Sequence, residues 1–187
     1  MSPLLISIIV LAVIILWFVA VYNGLITARN RVKESWSDID VQLKRRHDLI
    51  PNLLESVKGY MTHERELLTK ITASRSEAMG AQTSGDTAKL AQAEGTLGNL
   101  LGNLRVAMEA YPDLKANTNI AQLMDELSDT ENKIMASRRF YNANTRDFNT
   151  KMEVFPTNLI ANSLKFVKFE FFEIQDPAEK ANVQVKF

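Results

Sequence analysis

The sequence predicts an all-α protein: an N-terminal transmembrane helix followed by an antiparallel bundle of three to four long helices. Three observations carry this. Residues 4–22 form one nearly unbroken apolar run. Apolar residues then recur in steps of three and four along most of the chain, the spacing of a helix face. Gly and Pro are scarce, 7 and 5 in 187 residues, which leaves little punctuation for a sheet protein.

The first element is LLISIIVLAVIILWFVAVY, Leu4 to Tyr22, interrupted only by Ser7. Nineteen residues at 1.5 Å each make a helix of about 28 Å, close to the hydrocarbon thickness of a bilayer. Trp17 and Tyr22 lie toward its far end, where amphipathic rings favour the membrane interface. A cleaved signal peptide would need a basic start, a shorter apolar stretch and a small-residue cleavage site, and none is present. No Lys or Arg precedes the run, whereas Arg29, Arg31, Lys33, Lys44, Arg45 and Arg46 follow it. The positive-inside rule therefore predicts a single-pass protein with its N-terminus outside and its bulk in the cytoplasm.

From Val32 the heptad-like seam reads Val32, Trp36, Ile39, Leu43, Arg46, Ile50, Leu53, Val57, Tyr60, Glu64, Leu67, Ile71, Ser74, Ala78. Eleven of these fourteen are apolar or aromatic, which is coiled-coil spacing. The stretch Gly80 to Thr87 reads as a loop. A second helix follows, capped by Asp86 or Thr87, with its seam at Leu90, Ala93, Leu97, Leu100 with Leu101, Leu104, Met108 and Tyr111. Gly95, Gly98 and Gly102 interrupt it, each costing about 1 kcal/mol against Ala. Close approach of a neighbouring backbone would compensate. Pro112 ends this helix. The third begins near Asn119 and carries Ile120, Leu123, Leu127, Thr130, Ile134, Arg138, Tyr141, Thr145, Phe148, Met152 and Phe155 on its seam before Pro156 stops it. A short helical turn, TNLIANSL, follows. The tail KFVKFEFFEI holds four of the nine phenylalanines, Phe169, Phe171 and Phe172 among them, and fits a strand or a broad-faced helix equally well. The expected organisation is a span within 1–22, a bundle over 23–155 and a C-terminal segment over 156–187.

Pro51 stands inside the most regular helical pattern. In one reading it kinks a single long helix. In the other, Asp48 caps a new helix with Pro51 in its first turn, where the missing N–H costs little. The unbroken seam through Leu43, Arg46, Ile50 and Leu53, and the lack of a linker, favour the first.

The strings WSDIDVQLKRRHDLIPNLLESVKGYMTHE (36–64), AYPDLKA (110–116), ENKIMASRRFYNANTRDFN (131–149) and FPTNLIA (155–161) resemble the LemA family, and YNGLITARN (22–30) is similar to its juxtamembrane opening. The resemblance runs from the span to about residue 172. It implies a bacterial membrane-anchored protein with a cytoplasmic-side or membrane-proximal helical bundle, and it implies little about activity. Relatives are linked with magnetosome membrane formation, and members keep company with TPM-domain proteins and membrane zinc metalloproteases, which makes those proteins possible partners.

No reaction is legible. Charge balances, with 22 basic and 22 acidic residues, and no basic-aromatic stripe points to nucleic acid. There is no cysteine, so thiolate chemistry and disulfides are excluded. His47 and His63 lack the spacing of a metal pair; HEREL at 63–67 has no second histidine. Asp125, Glu126, Asp129 and Glu131 read as a solvated acidic face. No cofactor is expected, and the protein is read as no enzyme.

The polar residues on the apolar seams stand out: Arg46, Glu64, Arg138 and Thr145. A buried charge is costly unless paired. Helix rise places Glu64 and Arg138 within roughly 15 Å along the bundle axis. Their pairing, with Tyr141 and Asn142 nearby, would fix helix register; the alternative is that both point outward. The expected function is a membrane-anchored structural and interaction scaffold, self-assembling as a homo-oligomer or binding membrane partners in the lipid bilayer. The alternative is a sensor or regulator of a neighbouring membrane protease, for which the Pro51 kink is the one candidate switch.

Overall fold

The computed structural model of the chain describes residues 2–173, and among these it contains helices and no strand. The elements are α1 (Pro3–Lys58), α2 (Arg65–Ser84), α3 (Thr87–Met108), α4 (Pro112–Ala116), α5 (Thr118–Glu153) and α6 (Thr157–Ser163). Two compact units are distinguished, as far as the described residues reach. One is drawn from Met1–Ile39 and Ser137–Phe171, the other from Asp40–Ala136 and Phe172–Phe187. The expected tail extends through Ile174, and Ile174 onward lies outside the described residues.

Most seam positions are buried where the periodicity places them; Phe155, expected on the third seam, is 77% exposed because α5 ends at Glu153. In the second unit α1 contributes Ile50, Leu53 and Val57; α2 contributes Ile71 and Ala78; α3 contributes Leu97, Leu101 and Leu104; α5 contributes Ile120 and Leu127. Each of the Leu, Ile and Val side chains withdrawn from water is worth about 1.5–3 kcal/mol. In the first unit Leu25, Val32 and Ile39 of α1 are buried, as are Tyr141, Thr145, Phe148 and Met152 of α5.

Pro51 does not end a helix. α1 runs through it as one element of 56 residues, so Asp48 caps no new helix and the single-helix reading of the proline holds. The heptad count, however, crosses a real break that it does not reveal. α1 stops at Lys58, and the Val57 carbonyl accepts from both the Tyr60 and Met61 N–H groups as the chain turns. Met61 is fully buried in that turn, while Tyr60, the expected seam residue, is 43% exposed. The expected loop at 80–87 is shorter than its composition implies. α2 continues to Ser84, and Gly85 alone adopts a left-handed conformation, φ +71°, that favours glycine. Asp86 then caps α3, its Oδ1 accepting from the Lys89 N–H at 3.0 Å.

Two further caps explain the remaining joints. Pro112 opens α4, where its missing N–H costs nothing. Asn117 caps α5, accepting from the N–H groups of Asn119 (3.0 Å) and Ile120 (3.3 Å). The close-approach reading of the α3 glycines fails at two positions. A Cβ on Gly102 would meet nothing within 4 Å, and one on Gly98 only the Arg46 Nη1 at 4.0 Å.

The tail is neither strand nor helix. Phe166 and Phe169 are half-buried and Phe172 is buried, whereas Val167, Lys168, Glu170 and Phe171 are exposed. An inward residue every third position matches neither a period of two nor one of 3.6. The Asn149 amide substitutes for a partner strand: its Nδ2 donates to the Phe169 carbonyl (2.9 Å) and its Oδ1 accepts from the Phe169 N–H (3.1 Å).

Candidate functional site

The second unit holds a buried ionic cluster. Arg46, on the α1 seam, is 3% exposed, and Glu94 of α3 is 2% exposed. Their ion pair is the centre of the cluster. The Arg46 Nη1 also donates to both Glu131 carboxylate oxygens of α5, at 2.8 and 3.0 Å. One guanidinium thus joins three helices through two carboxylates, the fork geometry for which arginine is suited. The His47 Nε2 lies 2.9 Å from the Glu94 Oε1, although the approach is not aligned for a hydrogen bond. Burial, then the guanidiniums of Arg46 and Arg75, hold the imidazole down to about 4. Arg46 already engages the Glu94 carboxylate, so that carboxylate does not restore a charged histidine.

The helix backbone beside this cluster has a defect with a remedy. Pro51 carries no N–H, so the carbonyl four residues earlier, at His47, loses its helical donor. The Nε–H of Arg75 on α2 donates to it instead, at 2.7 Å. Beyond this bond opens a cleft of about 790 Å³, lined by Pro51, Leu54, Met61, Leu68 and Arg75 among others. Its volume is that of a small-molecule site.

The Glu64 carboxylate accepts from the Tyr111 hydroxyl at 2.5 Å, and Arg138, its expected partner, belongs to the other unit. That bond holds the Tyr111 hydroxyl above its usual pKa. Glu64 precedes α2, outside any seam, because the chain has left the helix at Gly59. Arg138 and Asn142 are half-buried on α5 in the first unit. There Tyr141 packs edge-on against Trp36, with ring centroids 5.1 Å apart, and donates its hydroxyl to the Glu170 carbonyl at 2.8 Å. Phe169 stacks edge-on to Phe148 at 5.3 Å; Phe171 is exposed and Phe172 buried. The acidic stretch on α5 is not wholly a solvated face either. Glu131 turns to Arg46, and Asp129 reaches Arg45 at 3.6 Å. Among the described residues no group of three or more His, Cys, Asp or Glu is placed to hold a metal ion.

Sequence reasoning singled out Arg46 but not its counter-charge. The signal existed: Glu94 stands four residues after Leu90 and three before Leu97, on the α3 seam. An acid on one seam and a base on another are a candidate pair before any coordinates are known.

An apolar, unburied N-terminal helix running into a helical bundle with a buried ionic register defines a class of helical proteins with a candidate membrane span. The chain belongs to the LemA family, whose profile matches residues 35–187. It is 31% identical to Protein LemA of Metamycoplasma hominis over 169 residues, covering 89% of this chain and 76% of that one. It is 23% identical over 175 residues to Magnetosome protein MamQ 2 of Paramagnetospirillum magneticum, covering 81% of this chain. Magnetosome protein MamQ of Magnetospirillum gryphiswaldense is likewise 23% identical, over 174 residues. The alignment spans 64% of the length of each of these magnetosome proteins. None of these names is that of an enzyme.

Proposed function

We propose that this chain is a membrane-anchored, non-catalytic scaffold whose helical bundle assembles with a second copy or with membrane partners. One observation carries the reading. From Leu4 to Val19, and again at Tyr22, every large apolar side chain of α1 is 40% or more exposed, on a helix that continues without a turn into the packed bundle. So much bare apolar surface is tolerated in lipid and not in water. The basic residues after the span, Arg29, Arg31 and Lys33, support a single pass with the N-terminus outside and the bulk on the cytoplasmic side of a bacterial inner membrane.

Membranes containing the full chain test this directly. Alkaline carbonate should leave the protein in the pellet, and protease added to sealed spheroplasts should leave the bundle intact. Light scattering in detergent, with crosslinking in native membrane, should give a dimer or larger species. Release by carbonate removes the anchor. A strict monomer that crosslinks to nothing removes the scaffold. The cleft beside Pro51 favours a second reading, that of a regulator responding to a ligand or to a neighbouring protease. Co-purification with such a protease, without self-association, selects it.

A further inference from the structure

On α1 the protein packing stops where the apolar span does. Leu25 is 1% exposed, and Tyr22, three residues earlier, is 40% exposed. In the same unit, the register with α5 identifies what lies level with that boundary. Trp36 meets Tyr141. Ala28 and Arg31 share a cleft of about 310 Å³ with Asn144, Asp147, Thr150 and Lys151. Numbers fall along α1 as they rise along α5, so the two run antiparallel, each climbing about 1.5 Å per residue. Fourteen residues back from Trp36 is Tyr22; fourteen on from Tyr141 is Phe155. The turn that closes α5 therefore lies level with the aromatic end of the span.

That turn presents bare apolar side chains. Phe155 is 77% exposed, Leu159 59% and Val167 79%. The turn is nonetheless folded, because Met152, Ile160 and Ala161 beside them are buried. Cations border it. Arg29, Lys165 and Lys168 edge a hollow of about 340 Å³ formed with residues 164–169, and the Arg29 guanidinium lies 5.7 Å from the Phe166 ring centre. Lys168 is held by Glu153 at 2.5 Å, whereas among the described residues neither Arg29 nor Lys165 pairs with a carboxylate. Apolar side chains with a cationic rim, level with the end of a span, match the boundary between acyl chains and headgroups.

We infer that the α5–α6 turn is a second membrane contact: Phe155 and Leu159 enter the interface of an anionic phospholipid bilayer beside the span, and Arg29 and Lys165 receive a headgroup phosphate. This rests on the membrane anchor proposed above.

The chain has no native cysteine, so single labels are unambiguous. Full-length Phe155→Cys, Val13→Cys and Glu34→Cys, each carrying an environment-sensitive nitrobenzoxadiazole label, are reconstituted into phosphatidylglycerol–phosphatidylcholine vesicles with nitroxide-labelled lipids. Glu34 is exposed and lies about 18 Å beyond Tyr22 along α1. The label at 155 should be quenched several-fold more than that at 34 by shallow nitroxides, and the label at 13 by deep ones. Quenching at 155 no greater than at 34, with 13 quenched, overturns the second contact and leaves the anchor standing. An unquenched label at 13 overturns both. Quenching at 155 should also fall in vesicles of phosphatidylcholine alone; an unchanged value overturns the headgroup assignment.

Discussion

The side chain of Arg75 donates its Nε–H to the main-chain carbonyl of His47 at 2.7 Å, replacing the helical bond that Pro51 cannot make. The two features should therefore be energetically coupled. Arg75→Ala leaves a carbonyl without a donor when residue 51 is proline, a loss of about 1–3 kcal/mol. In a Pro51→Ala background the new N–H takes that carbonyl, and the same change should cost markedly less. Urea unfolding of the full chain in detergent, followed at 222 nm, gives the double-mutant cycle. A coupling energy near zero would show that the bond is incidental to the proline.

The buried cluster predicts an asymmetry between its two acids. Glu94→Ala removes the buried partner of Arg46, which is 3% exposed, and leaves its guanidinium only Glu131; it should cost about 3 kcal/mol. Glu131→Ala should cost well under half of that, because its carboxylate is 38% exposed and water can replace it. Equal losses in the same unfolding measurement would contradict the geometry.

His47 sets a pH window. Burial first, then Arg46 and Arg75, lower its pKa from 6.5 to about 4. A folded value below the unfolded one means that the unfolded chain binds the additional proton between those limits. The contribution is complete above about pH 6.5 and is lost as pH falls toward 4, reaching about 3 kcal/mol. His47→Gln should flatten that window. A wild-type stability unchanged from pH 7 to 4.5 would place the imidazole in a different environment.

Gly102 offers the reverse experiment. A Cβ there meets no atom within 4 Å, so Gly102→Ala should stabilise α3 by about 1 kcal/mol. A higher melting temperature in detergent is the expected reading. A lower one would mean that this face of α3 is packed in the assembled protein.

Much of the architecture is legible in residue spacing because each helix buries one stripe. Val32, Ile39, Leu43 and Ile50 on α1, and Ile120, Leu127, Ile134 and Phe148 on α5, are all buried as the three-and-four rhythm requires. The turn at 59–64 is hidden because its residues preserve that rhythm by chance, so Glu64 looks like a seam residue and is not one. Arg46 is visible as a charge on an apolar row. His47 and Arg75 are not, since the His47 main-chain carbonyl, left without its helical donor by Pro51, accepts from an Arg75 side chain that arrives from a different helix. Contacts across helices leave no fixed interval to count. Asn149 is invisible for a related reason, as an amide serving a segment with a period of three.

No turn divides the apolar stretch at 4–22 from the first buried positions of α1, Leu25, Ala28 and Val32. In a bilayer such a helix behaves as a lever fixed at the headgroups. With the stretch anchored as proposed above, tilt that absorbs thinning or thickening of the lipid would be carried along the same helix to those packed residues, making bilayer thickness a mechanical input to the fold.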